Sequence, residues 1–453
     1  MRDSSFSVKK MKYKMSYVKM IALGFAALIL LGTVLLSLPL AARSGTRMPF
    51  LDALFTATSA TCVTGLVVAD TYQNWTVFGQ LVILSLIQIG GLGFITIGVY
   101  VAVLLKRRIG LKGREAIHES VSTIETAGAV RLTKKIIQGT VLLELIGGLL
   151  LSIRFIPRVG IVKGLYFGIF HSISAFCNAG FDLMGNWEQY ASLTGYEGDI
   201  LVNAVIMLLI IVGGVGFVVW DDVIRNKWHF KKYLLHTKMV LTVSAILIFG
   251  GAALFLLFEN NTVFAGMSVK ERVLGALFAS VTARTAGFNT IDTGAMSEAG
   301  KILTVILMFI GGSPGSTAGG IKTTTMAVMV LAAVSMIKQS YGTNIYGRRL
   351  HEDAIKKAST VFTINLTLAM IAVIAILAIQ PLAMSDVLLE VFSAIGTVGM
   401  STGITRELAS ASKVIIILLM YTGRLGSLSF ALVLTQRKAP APIQYPQEKM
   451  IVG

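Results

Sequence analysis

Apolar positions in this chain fall into long uncharged blocks rather than into the alternations of amphipathic helices or half-buried strands. The uncharged runs are Met20–Ala42, Trp75–Leu105, Ile200–Trp220, Met239–Phe258, Ile302–Ile321 and Ala358–Ser385. Each can cross a bilayer, since about 20 apolar residues in a helix span ~30 Å of hydrocarbon. Two further runs, Ile136–Ile153 and Val414–Gln436, are interrupted only by Glu144 and Arg424. The pattern predicts eight long membrane helices. The first exceeds the apolar centre of a signal peptide and shows no small-residue cleavage pattern after Leu40, so it counts as a span.

Between the helices of each successive pair lies an apolar stretch too short to cross, beginning near Pro49, Gly164, Val273 and Val387. These stretches end alike: Cys62-Val63-Thr64-Gly65-Leu66, Cys177-Asn178-Ala179-Gly180-Phe181, Arg284-Thr285-Ala286-Gly287-Phe288 and Gly396-Thr397-Val398-Gly399-Met400. The glycines lie 115, 107 and 112 residues apart, about a quarter of the chain. A second marker follows in each copy: Gly90-Gly91-Leu92-Gly93, Gly213-Gly214-Val215-Gly216, Gly311-Gly312 and Gly423-Arg424-Leu425-Gly426. Two markers in one register define an internal repeat of outer helix, half-length pore helix, glycine strand and inner helix.

The expected fold is therefore an all-α integral membrane protein with four parallel repeats around one pseudo-fourfold pore. Repeats are placed at 20–105, 136–225, 238–337 and 358–436. Cytoplasmic segments are placed at 1–19, 106–135, 226–237, 338–357 and 437–453.

Composition narrows the class. Of 453 residues, 55% are hydrophobic and 14% charged, against about 25% charged in a soluble domain, which excludes a soluble enzyme of ordinary design. The 40 Lys+Arg and 23 Asp+Glu leave +17, a balance that in a polar chain would suggest nucleic acid. Here the basic residues orient helices instead, and no nucleic-acid partner is expected. Segments 1–19, 106–135, 221–238, 338–357 and the tail after Gln436 hold 27 basic and nine acidic residues, whereas the opposite loops hold 10 and 13. Both termini are expected in the cytoplasm. Cys62 and Cys177 cannot form a disulfide framework and read as small buried residues.

Non-helical backbone at membrane depth is tolerated where it lines a watery path. Glycines there let four strands turn carbonyl oxygens toward one axis and replace the hydration shell of a cation. The C-terminal, partially negative ends of the half-helices favour a cation as well. Helix packing is the competing reading of each single glycine, and it stays the preferred one for Gly90–Gly93 and Gly213–Gly216.

With these motifs the chain resembles the Trk/Ktr/HKT superfamily of potassium transporters, most closely the Ktr-type membrane subunit, over essentially its whole length. The resemblance implies a potassium filter formed by Gly65, Gly180, Gly287 and Gly399 with the neighbouring Thr64, Asn178, Ala179, Thr285, Ala286, Thr397 and Val398. It implies K+ as the transported ion, sodium as an activator, and no organic cofactor. It also implies a plasma-membrane homodimer docked on a cytosolic RCK-type nucleotide-binding ring (KtrA/KtrC-like). The chain lacks a dinucleotide-binding fingerprint of its own, which places such regulation on a partner. The basic loops 106–135 and 338–357 are candidate docking surfaces, and equally topology signals that face lipid headgroups.

The third inner helix contains Gly311-Gly312-Ser313-Pro314-Gly315-Ser316-Thr317-Ala318-Gly319-Gly320-Ile321-Lys322-Thr323. Gly and Pro disfavour a helix interior by about 1 and 3 kcal/mol relative to Ala, so this run is expected to form an intramembrane loop. A phosphate-binding loop is disfavoured because Ile321 stands where its lysine is required. The resemblance identifies the run as a gating loop beneath the filter. Arg424, a charge within a span, is expected to contact that loop and hold the pore closed, with a pairing to Glu144 or solvation at a helix end as the alternative.

Arg284 is expected to brace the third strand from behind through carbonyls or an acidic half-helix residue, and Glu144 to be a partner-bound structural acid. Asp52, Glu271 and Asp386 fall near half-helix starts, as dipole partners or as an outer vestibule that attracts cations. His118, His171, His229, His236 and His351 lack metal-ligand spacing. An ion-coupled carrier for a small solute is the rival reading. A membrane-embedded enzyme lacks any catalytic cluster.

Overall fold

A computed structural model describes residues 17–93, 96–98, 129–227, 229–426, 446 and 448. The expected segment 1–19, the loop 106–135 and the tail 437–453 lie largely outside the described residues.

Among the described residues, four helices are long and apolar enough to cross a membrane by length and composition: α1 (Tyr17–Leu36), α4 (Ala129–Val159), α8 (Leu235–Phe258) and α12 (Glu352–Ile379). Their large apolar side chains point outward; Leu142 and Leu149 on α4 and Ile246, Phe249 and Leu257 on α8 are all exposed. That is the distribution expected where hydrocarbon, not water, is the solvent.

Each long helix leads into a shorter, more buried one: α2 (Phe50–Thr61), α5 (Ile161–Phe176), α9 (Val269–Thr282) and α13 (Met384–Gly396). The inner ends of these half-helices are rich in small hydroxyl residues rather than large apolar ones. Thr56, Thr58, Ser59 and Thr61 on α2, Ser172 and Ser174 on α5, Ser280 and Thr282 on α9, and Ser393 on α13 are all buried. Helix starts are capped where the chain supplies a side chain for the orphan N–H groups. Ser268 and Glu271 form a reciprocal capping box at α9, and Thr76, Asp199 and Ser297 cap the helices that follow three of the glycine segments.

Of the inner helices the third is interrupted as expected, and the other three end or bend where uninterrupted spans are expected. They are α3 (Val77–Leu92), α6 (Ile200–Val215) followed by α7 (Phe217–Asn226), α10 (Glu298–Phe309) followed by α11 (Thr323–Ile337), and α14 (Ser410–Leu425). Helix α3 ends at Gly93 (φ 82°), and α14 ends at Gly426 (φ 84°). Helices α6 and α7 meet at Gly216 (φ 104°) with a bend of 97°. A left-handed φ cannot continue a right-handed helix, while hydropathy treats glycine as neutral; composition therefore fuses segments that backbone geometry separates. The remainders of Trp75–Leu105 and Val414–Gln436 run into residues outside those described.

A short antiparallel hairpin, β1 (Asn344–Ile345) and β2 (Arg348–Arg349), follows α11. One apolar core joins α2, α3 and α4 through α6, around Trp75, Phe155, Phe170 and Phe176. A second joins α8 through α14, around Phe255, Phe309, Phe392 and Met420.

Candidate functional site

The backbone after each half-helix repeats one conformation. Val63, Asn178, Thr285 and Thr397 adopt left-handed φ of 56°, 58°, 75° and 51°, and each stands two residues before a glycine that is itself left-handed: Gly65 (90°), Gly180 (69°), Gly287 (78°) and Gly399 (93°). For β-branched Val63, Thr285 and Thr397 this is a strained state, worth about 1–3 kcal/mol each. Strain at the same register in four copies marks a functional segment.

Half-helix hydroxyls and carbonyls hold these strands. The N–H groups of Thr64, Ala179 and Val398 donate to Ser59, Ser174 and Ser393 O, each at 2.8 Å. The Gly65 and Gly399 N–H groups donate to Ser59 Oγ (3.1 Å) and Ser393 Oγ (3.0 Å). In the third copy Thr282 Oγ1 donates to Phe288 O at 2.7 Å.

The four glycines close a cycle. A Cβ added at Gly65 would strike Ala179 O; one at Gly180 would lie 2.6 Å from Ala286 O; one at Gly287 would lie 2.5 Å from Val398 O; and one at Gly399 would strike Thr64 O. Each glycine thus faces the carbonyl that precedes the next glycine, in the order 65, 180, 287, 399 and back. Every residue expected in the filter takes part in this ring or adjoins it.

On the post-glycine side all four glycines line a cavity of about 690 Å³, whose charged residues are Asp70, Asp182, Glu188, Glu197, Asp292 and Arg406. Five acids against one guanidinium give this mouth an acidic balance. Burial pushes the Asp182 carboxyl up to about 7; the Met184 N–H opposes that rise and the Asp70 charge adds to it. The Arg406 guanidinium lies 4.2 Å from the centre of the Tyr190 ring.

Of the two readings open for Asp52, Glu271 and Asp386, the vestibule one is not met, since none of them lines this cavity. Asp52 pairs with Lys413 (2.8 Å), Asp386 with Lys301 (3.1 Å), and Glu271 serves the α9 cap. Helix starts take acids to complement the dipole, whereas the true mouth is built by irregular loops with no helical period to reveal them. Asp70 organises that region by accepting the N–H groups of Tyr72 (2.9 Å), Gln73 (2.7 Å) and, from the second copy, Tyr190 (2.9 Å). Asp70→Ala is expected to destabilise the protein by at least about 3 kcal/mol, because it leaves three N–H groups without their acceptor and each such bond is worth ~1–3 kcal/mol; thermal unfolding in detergent measures the loss.

On the opposite side of the ring, Gly311–Lys322 is an irregular loop, as expected, and it reaches the other inner helices. Ser313 N–H donates to Gly214 O (3.0 Å), Thr317 N–H to Gly213 O (3.3 Å), Phe217 N–H to Gly315 O (2.8 Å) and Gly320 N–H to Gly423 O (3.3 Å). Thr317 Oγ1 donates to Phe176 O (3.2 Å) or Asn178 Oδ1 (3.1 Å), while Asn178 Nδ2 donates to Thr285 Oγ1 (3.2 Å). Lys322 Nζ folds back onto Ala318 O (2.7 Å) and Gly319 O (3.1 Å).

The Arg424 guanidinium joins this loop to the first copy. It donates to Thr317 O on the loop and to Gly90 O and Gly91 O (2.9 Å) at the end of α3. Glu144 instead accepts from Gln88 Nε2 (3.1 Å), so the pairing of Arg424 with Glu144 does not occur. Arg284 donates to Ser244 Oγ on α8 (3.0 Å), so its partner is a hydroxyl of the outer helix rather than a carbonyl or an acid. The inner-helix glycines are close-packing sites: a Cβ at Gly90, Gly213 or Gly423 would strike Thr61 O, Phe176 O or Ile395 O at the end of its own half-helix. No cluster of His, Cys, Asp or Glu suited to a metal occurs among the described residues.

A family model described as TrkH, cation transport protein, matches residues 9–442. The chain is 41% identical to the potassium/sodium uptake protein NtpJ of Enterococcus hirae, over 98% of this chain and 99% of that one. It is 39% identical to the Ktr system potassium uptake protein B of Bacillus subtilis, over 96% of each chain. The crystal structure of the potassium transporter TrkH from Vibrio parahaemolyticus shares the fold, with a TM-score of 0.73 at 18% identity, over 94% of this chain and 86% of that one.

Proposed function

The chain belongs to the TrkH family of cation transport proteins, and from that premise we propose that it is the K+-selective translocating subunit of a Ktr-type potassium uptake system. The observation that carries this reading is the closed cycle in which each left-handed glycine faces the carbonyl before the next. Such a ring offers an ion only carbonyl oxygens, from four directions, with no side chain in the way. Thr64, Ala179, Ala286 and Val398 supply the carbonyls nearest the glycines, and dehydrated K+ passes along the axis they surround.

The half-helix ends behind each strand and the acidic mouth concentrate the cation. The loop Gly311–Lys322 acts as the gate, held shut by its bonds to Gly213, Gly214 and Gly423 and by the Arg424 clamp. Sodium stimulates uptake, and both termini face the cytoplasm. The protein works as a homodimer in the plasma membrane, on a cytosolic nucleotide-binding ring that contacts the basic segments 106–135 and 338–357. The orientation rests on the charge asymmetry of the sequence and the existence of a partner subunit on relatives named as Ktr system proteins, whereas sodium stimulation, the homodimer and the nucleotide-binding ring are what the resemblance to the Trk/Ktr/HKT superfamily implies.

Uptake of radiolabelled rubidium and sodium into proteoliposomes tests the function. Rubidium is expected to enter at least about tenfold faster than sodium, as a carbonyl-ring filter discriminates. Equal entry of the two ions, or saturable entry of an organic solute in place of rubidium, refutes it.

A further inference from the structure

Glu390 is the one carboxylate on a half-helix that is completely out of water and forms no ion pair among the described residues. It lies on α13, nine residues before Gly399. Taking a carboxylate out of water has a penalty of several kcal/mol unless its lone pairs are occupied, and here hydroxyl groups occupy them. Ser401 Oγ donates to Oε2 at 2.7 Å and Thr405 Oγ1 donates to Oε1 at 2.5 Å. The two hydroxyls lie 3.0 Å apart, and Ser401 Oγ also accepts the Gly403 N–H at 2.9 Å.

Both donors belong to the segment that leaves the fourth filter glycine, and Ser401 is only two residues beyond Gly399. Helix α13 therefore grips this strand on both sides of the glycine: Ser393 Oγ holds the Gly399 N–H before it, and Glu390 holds Ser401 after it. The same register carries His171 on α5, nine residues before Gly180, and its Nε2 accepts the Leu183 N–H at 3.2 Å. These two copies alternate with the other two around the ring, and in both a side chain at this register fixes the outlet strand. In the first copy the equivalent Thr56 bonds only within its own helix, to Asp52 O, and in the third the equivalent is Phe278.

We propose that Glu390 is a positioning residue for ion selectivity: through Ser401 and Thr405 it sets the orientation of the Gly399 and Met400 carbonyls at the outer end of the ring. The proposal rests on the filter reading above. A strand pinned at one side of its glycine could close in on a smaller ion; one pinned at both sides keeps its carbonyls at the spacing a larger ion needs. A carboxylate suits this task because it accepts two hydroxyls at once, in one plane, and charged acceptors hold their donors more tightly than neutral ones.

Rubidium and sodium uptake by purified wild-type, Glu390→Ala and Glu390→Gln proteins in proteoliposomes tests the proposal. Glu390→Ala is expected to lower the rubidium-to-sodium ratio by about tenfold, the equivalent of losing one hydrogen bond to a charged group. Glu390→Gln retains an acceptor for one hydroxyl and is expected to fall between the two. Ser401→Ala added to Glu390→Ala is expected to lower the ratio no further, since the two act through one bond.

A parallel fall in both fluxes with an unchanged ratio overturns the proposal and leaves Glu390 a structural staple. If Glu390→Ala fails to fold, an unchanged ratio in Glu390→Gln together with Ser401→Ala does the same. A wild-type protein without preference for rubidium defeats the filter reading itself. That outcome is distinct from a selective wild type whose Glu390 variants stay selective.

Discussion

Gly287→Ala is expected to reduce rubidium uptake by about 100-fold, a change of ~2.7 kcal/mol in an effective barrier. Two separate penalties add at this position. The φ of 78° is left-handed, which a residue with a Cβ adopts at a cost of about 1–2 kcal/mol. The new methyl group would also lie 2.5 Å from Val398 O, closer than packed atoms approach, so either that carbonyl turns from the axis or the strand shifts. Each response removes an oxygen from the ring. Gly250→Ala is the control, because that glycine lies on the exposed face of α8 with nothing within 4 Å of an added Cβ; its uptake should match the wild type. Gly287→Ala protein that melts normally in detergent and still takes up rubidium at the wild-type rate would mean that the ring does not conduct.

Arg424→Ala is expected to act in the opposite direction. The guanidinium ties the loop at Thr317 to the end of α3 at Gly90 and Gly91, so its removal frees three carbonyls and the only side-chain link between the loop and the first copy among the described residues. Without regulatory subunits, resting rubidium uptake should rise by about tenfold, the equivalent of one or two charge-assisted hydrogen bonds lost from the closed state. Arg424→Lys should give an intermediate rise, since a point charge on a flexible stem cannot span the three acceptors as a planar fork does. Unchanged resting flux in Arg424→Ala would remove the clamp from the mechanism.

The four glycines of the ring and the break in the third inner helix are legible in the sequence because each depends on local chemistry. Apolar blocks of helical length, glycine in register and a run of Gly and Pro are all visible residue by residue. The helix ends at Gly93 and Gly426 and the bend at Gly216 are hidden in the sequence because a glycine in a membrane helix has two common uses, close packing and helix termination, and the tetrads here serve both. Gly213 packs on Phe176 O while Gly216, three residues on, turns the chain.

The left-handed Val63, Thr285 and Thr397 were equally hidden. Their propensities favour extended backbone, and tertiary structure overrides them. The acidic mouth eluded the sequence for a different reason. Asp70, Asp182, Glu188, Glu197 and Asp292 come from loops of three copies and converge only in the folded chain, whereas Asp52 and Asp386 stand at helix starts and pair with Lys413 and Lys301, and Glu271 caps its own helix. Glu390 is not singled out by the sequence because the second acid of a half-helix, read without its partners, has no signature that distinguishes a staple from a functional group.

The cycle of four glycines is made by one polypeptide, and this changes what a single mutation can do. In a pore of four identical chains, one codon change alters every wall at once. Here Thr64, Ala179, Ala286 and Val398 precede four glycines that are encoded separately, so substitution reaches one quadrant and leaves three intact. The ring can therefore be altered in quarter steps. Its quadrants are free to diverge, one braced by Glu390, another by His171 and a third carrying Arg284 behind its strand, while the axis they share remains closed.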